Sequence, residues 1–239
     1  MNDPSESSMH VADAESDDSA SGMDTGGAQP MEHSETPQNM AEAFATAPPL
    51  GRGMRLAKLA ATHFGVWLLV FSLFAAADSW SQLTGLGIAS LLSAVTGAIA
   101  GVVTVTLVHE WFHYLGARFS GGRYDIPGGL GLFVYDWDFG SNSRSQFFFM
   151  SIAGTVGGVV ALVLLWQSIP NDSFGRAALH GGAIAGFVFG AWIEWPVLKR
   201  TRDGGEPLVE LSKINERVLA NSVTVSLLAG LVLTLLVAP

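Results

Sequence analysis

Val108-His109-Glu110-Trp111-Phe112-His113 reads H-E-x-x-H, two histidines four residues apart with a carboxylate beside the first. On an α-helix, residues four apart are separated by about 40° around the axis, so both imidazoles can meet one ion from the same face. Two imidazole nitrogens suit Zn²⁺, which at catalytic sites takes three protein ligands and leaves a position for water or substrate. Zinc lowers the pKa of water, and Glu110 stands where it can take the proton as the nucleophile forms. The spacing therefore points to metal-assisted hydrolysis, with His109 and His113 as ligands and Glu110 as the catalytic base.

An apolar helix must position this motif. Hydrophobic residues make up 49% of the 239 and charged residues only 14%, against about 25% charged in ordinary soluble domains. Five nearly uncharged stretches, about 60–77, 83–115, 146–166, 177–198 and 218–238, meet or approach the roughly 20 residues needed to cross about 30 Å of hydrocarbon. They are rich in Gly and Ala, as suits close helix packing in a membrane. The expected fold is an all-α polytopic membrane protein with about five transmembrane helices. The second helix ends in the H-E-x-x-H motif, and an ionisable group there is costly and functional by default.

The net charge of −9 has a local origin. Residues 1–50 hold ten of the 21 acids and no Lys or Arg, whereas residues 51–239 hold 11 acids and all 12 bases. The tail lacks apolar periodicity and is expected to be disordered. It solvates the chain or meets a basic partner. It carries no positive segment followed by an apolar one, so it does not read as a secretory signal. No basic stripe exists for nucleic acid, and the absence of Cys excludes disulfides and thiolate metal sites. With the N-terminus cytoplasmic, eleven bases fall inside and only Arg176 outside, the pattern expected of membrane proteins. We expect an integral protein of a prokaryotic plasma membrane, set in the lipid bilayer with its C-terminus outside.

The run His109-Glu110-Trp111-Phe112-His113-Tyr114-Leu115-Gly116-Ala117-Arg118 resembles the H-E-x-x-H-x-x-x-A-R signature of the site-2 protease family of intramembrane zinc metalloproteases. Ser151-Ile152-Ala153-Gly154-Thr155-Val156-Gly157-Gly158 is similar to the family's A-G-P-x-x-N stretch, with Thr155 for Pro and Gly158 for Asn. The Gly-rich segment Gly128–Val134, within Ser120–Ser143, lies where the family often places short cytoplasmic strands. The resemblance covers about residues 84–216 and implies peptide-bond hydrolysis of membrane-protein substrates, within or beside the membrane, with Zn²⁺ as cofactor.

The family draws its third ligand from an N-x-x-P-x-x-x-L-D-G stretch, of which this chain has no clean copy. Glu194 lies in Trp192-Ile193-Glu194-Trp195-Pro196, and His180 in Leu179-His180-Gly181-Gly182. Asp203 lies seven residues after Pro196, where the family spacing is five. Depth favours Glu194. The second and fourth spans both run from outside to inside, so Glu194 lies level with the zinc pair. His180 lies fourteen residues earlier, about 21 Å along a helix. Pro196 is expected to open the helix beside Glu194. His63 reads as packing, and Asp136 and Asp138 as solvating a turn. The runner-up to a protease is a catalytically inactive zinc-binding relative serving as a membrane scaffold or regulator.

Overall fold

The computed structural model describes residues 51–239, so the acidic segment 1–50 lies outside the described residues. Five long helices, α1 (Arg52–Thr84), α2 (Gly87–Phe119), α3 (Arg144–Ser168), α4 (Phe174–Arg202) and α6 (Glu216–Val237), carry the chain. All five are long and apolar enough to cross a membrane. The short α5 (Pro207–Ser212) joins α4 to α6, and a two-stranded antiparallel hairpin, β1 (Tyr124–Asp125) with β2 (Asp136–Trp137), joins α2 to α3.

The helices run past the apolar stretches that mark them. Both α1 and α2 have 33 residues, about 50 Å at 1.5 Å per residue. Charged ends such as Arg52–Lys58 are good helix formers and extend the rod beyond the apolar segment. Local signals fix several starts. Ser143 and Gln146 form a reciprocal capping box on α3, Ser173 caps α4 through the Arg176 N–H, and Asn215 caps α6 through Val218 N–H.

Helix α2 is the central rod, with Phe74 of α1, Ala161 and Leu165 of α3, and Leu179 and Ala183 of α4 packed around its Ala100 and Val105. Small residues permit this closeness: a Cβ on Gly101 or Gly182 would strike the facing backbone of α4 or α2. The surface is inverted relative to a soluble bundle. Leu69, Leu73, Leu91, Leu164, Leu227 and Leu235 face outward, while Ser93, Ser222, Ser226 and Thr234 are buried.

Two polar clusters brace the bundle at opposite ends. Buried Asp78 accepts hydrogen bonds from Ser93 Oγ (3.1 Å), Ser173 Oγ (2.9 Å), Gln82 Nε2 (2.6 Å) and Arg176 Nε (2.9 Å). These tie α1 and α2 to the start of α4. At the far end of α4, buried Glu210 of α5 holds Lys213 at 2.6 Å and Arg200 at 2.7 Å. Those partners, Lys213 first, keep its carboxyl below the usual range.

Short strands do form within Ser120–Ser143, flanking the Gly-rich stretch rather than occupying it. Gly128–Val134 forms the hairpin's connecting loop, and the short strands flank it at Tyr124–Asp125 and Asp136–Trp137. Buried Ile126 and Val134 pin the two ends of that loop against Leu59 and Tyr114. Arg52 lies over the Tyr124 ring, 4.5 Å from its centroid, and Arg55 pairs with Asp125 at 3.1 Å. Asp138 caps a turn by accepting from Gly140 and Ser141 N–H.

Candidate metal centre

His109, Glu110 and His113 occupy the last third of α2, one helical turn holding both imidazoles on one face. Glu194 arrives from α4. Its Oε1 lies 2.8 Å from His109 Nε2 and 2.9 Å from His113 Nε2, and the two Nε2 atoms are themselves 2.9 Å apart. The three side chains are 12%, 9% and 22% exposed. This group can hold a metal ion.

The donor chemistry fits one. His113 Nδ1–H donates to the Met150 carbonyl at 2.9 Å, which leaves the Nε2 lone pair aimed at the Glu194 carboxylate. A lone pair at 2.9 Å from a carboxylate oxygen is repelled unless a proton or a metal ion lies between them, and a metal ion would satisfy both imidazoles and the carboxylate at once. A tetrahedral zinc ion with bonds of about 2.0–2.1 Å spaces its ligand atoms by roughly 3.3 Å. The three side chains need to separate by only a few tenths of an ångström. Glu194 Oε2 is buried without a hydrogen-bond partner among the described residues and remains available. Two imidazoles and one carboxylate form a known catalytic zinc set, with a coordination position to spare.

Glycines make room for the rings. The His113 ring occupies the space that a Cβ on Gly154 of α3 would fill. His109 lies between Gly158 of α3 and Gly190 of α4, whose Cβ positions would be 3.8 Å and 3.5 Å from its ring. We expect Gly154→Ala to displace His113 and weaken metal binding about 10-fold or more, the usual cost of disturbing a ligand's support. Competition against a chromogenic chelator measures this. Gly53→Ala, whose new methyl meets nothing within 4 Å, serves as the control.

No protein-family model, curated protein or solved structure matches the chain. The site therefore stands on its own geometry.

The other candidates lie elsewhere. His180 is buried, donates from Nε2 to the Ile169 carbonyl at 3.1 Å and packs against Trp166. Asp203 caps the end of α4, exposed beside Arg202. His63 joins three segments: its Nδ1 accepts from Trp111 Nε1–H (3.2 Å) and its Nε2–H donates to Gly131 O (2.8 Å). Helix α4 continues through Pro196 to Arg202 rather than opening there. The proline removes only the N–H that Trp192 O would have received.

A cavity of about 370 Å³ opens over the centre. Its floor carries Glu110, His113 and Glu194, and its walls are Phe133, Tyr135, Trp137 and Phe139 of the hairpin region with Leu211 of α5. Sequence reasoning missed Tyr135 and Met150. The first lies in a hairpin without a motif, and the second acts through its backbone. Burial first, then the charges of Glu110 and Glu194, hold the Tyr135 phenol above its usual range, so it stays protonated.

Proposed function

We propose that this chain is a membrane-embedded zinc metalloprotease of the site-2 protease type, hydrolysing peptide bonds within or next to the membrane segments of other proteins. The observation that carries this reading is the carboxylate of Glu194. Supplied from a separate helix, it meets both histidines of an H-E-x-x-H motif at 2.8–2.9 Å, beside a cavity that also holds Glu110. The partition of basic residues, eleven against one, supports a cytoplasmic N-terminus and an outside C-terminus. The outward-facing leucines of the five helices support a lipid surround.

His109, His113 and Glu194 would hold the ion. A zinc ion held there supplies Lewis acidity, acidifying water and polarising a carbonyl. Glu110, 9% exposed, takes the proton of the attacking water. The water oxygen bonds to the carbonyl carbon as the C=O π pair moves onto the carbonyl oxygen. On collapse that pair re-forms C=O, the C–N bond breaks, and Glu110 passes its proton to the leaving nitrogen. The apolar, aromatic walls exclude water and accept apolar side chains flanking the cut.

Glu110→Gln tests the assignment, because glutamine keeps the shape and loses the base. Cleavage of a reconstituted membrane substrate is expected to fall by 10²-fold or more, the lower end of what general-base catalysis contributes, with zinc content unchanged. Full activity of the variant would remove Glu110 from the mechanism. A wild type that keeps zinc and cleaves no membrane substrate would favour the scaffold role.

A further inference from the structure

The reaction above places a negative charge on the carbonyl oxygen, and something must stabilise it besides the ion. The surroundings of the centre narrow the source. Helix α3 turns Gly154 and Gly158 toward the histidines, and α4 turns Gly190, so neither offers a side-chain donor on those faces. Of the polar groups lining the cavity, Glu110 and Glu194 are acids with other duties, and Ser151 is buried with its Oγ directed at Met150 Sδ. Trp137 has its six-membered ring wedged against Gly122.

Tyr135 differs from these. Its ring is held on three sides by Tyr114, Tyr124 and Trp137, with centroids 6.0–6.5 Å away. Its hydroxyl has no hydrogen-bond partner among the described residues, and the residue lines the same cavity as Glu110, His113 and Glu194. A clamped phenol in the wall of the cavity that holds Glu110, His113 and Glu194 is a preorganised donor, the kind of group that stabilises a developing oxyanion. We propose that Tyr135 is a catalytic residue whose phenol donates a hydrogen bond to the oxyanion of the tetrahedral intermediate. The assignment rests on the protease reading.

The test uses the full-length protein in detergent, loaded with Co²⁺, whose visible spectrum reports the ligand set. The probe is a phosphinic pseudodipeptide with Phe and Leu side chains, whose two phosphinate oxygens mimic the attacking oxygen and the oxyanion. Tyr135→Phe is expected to bind Co²⁺ as the wild type does and the phosphinate about 10- to 100-fold more weakly, the range for a hydrogen bond to a charged group. Tyr114→Phe, which removes a hydroxyl from the same aromatic cluster outside the cavity, is expected to bind the probe within twofold of wild type. Unchanged phosphinate affinity in Tyr135→Phe overturns the assignment. So does loss of Co²⁺ in that variant, or equal weakening in Tyr114→Phe, since either marks the phenol as packing. A wild type that takes Co²⁺ but not the phosphinate refutes the protease reading itself, and the assignment with it.

Discussion

Glu194→Gln should strip the protein of its metal. The substitution preserves volume and one oxygen, yet removes the charge that meets both Nε2 atoms at 2.8–2.9 Å. Disturbing a mere supporting partner costs 10- to 100-fold in affinity, so loss of a direct ligand is expected to cost more than about 100-fold. His113→Ala should do the same. His180→Ala and Asp203→Asn should each retain close to one equivalent, because neither side chain approaches the centre. Elemental analysis after dialysis decides the matter. A full equivalent of zinc in Glu194→Gln, with loss in His180→Ala, would move the third ligand to the other end of α4.

Asp78→Ala should give the largest loss of stability. The carboxylate is 4% exposed and takes four hydrogen bonds, one from the Arg176 guanidinium. Removing one partner of a buried pair costs about 3–5 kcal/mol, because the other charge stays desolvated and uncompensated. Arg176 keeps 24% of its side chain exposed, which places the expected value near 3 kcal/mol, at the low end of that range. Denaturation in mixed detergent micelles, followed by helical ellipticity, measures it. The double variant Asp78→Leu, Arg176→Met should recover much of the loss, since it leaves no orphaned charge. A single variant as stable as wild type would show that water reaches the pair. Arg176 and Glu194 are 18 residues apart on α4, about 27 Å, so metal content should survive the change.

Much of this architecture was legible in the chain because bilayer thickness imposes a length on apolar segments. The five runs marked five helices, and H-E-x-x-H named two imidazoles that converge on one point. Depth along α4 singled out Glu194 because α2 and α4, separated by one intervening span, run in the same direction and put their corresponding ends at one level. Helix ends were less legible. Apolarity stops where lipid would stop, whereas backbone hydrogen bonding continues, so α1 begins at Arg52 rather than near residue 60. The same cut left Asp78 just outside its span and Arg176 in a connecting loop. Their pairing spans 98 residues, and no local pattern encodes it. Pro196 misled for a related reason: a proline deletes one hydrogen bond, and packing of α4 on its neighbours outweighs that loss. Tyr135 could not be picked out among the aromatic residues of the hairpin until the fold set it against Glu110 and Glu194.

The carbonyl that orients His113 has an implication for anyone building such a centre elsewhere. Met150 O belongs to an ordinary helical peptide group, normally shielded by the side chain one turn later. That side chain is missing at Gly154, and the imidazole fills the gap. The choice of which ring nitrogen keeps its proton is therefore written into helix spacing rather than into any exchangeable side chain. Grafting His109, His113 and Glu194 onto another bundle would carry over three side chains without the instruction that aims them. A working transplant has to bring a bare stretch of the neighbouring helix as well.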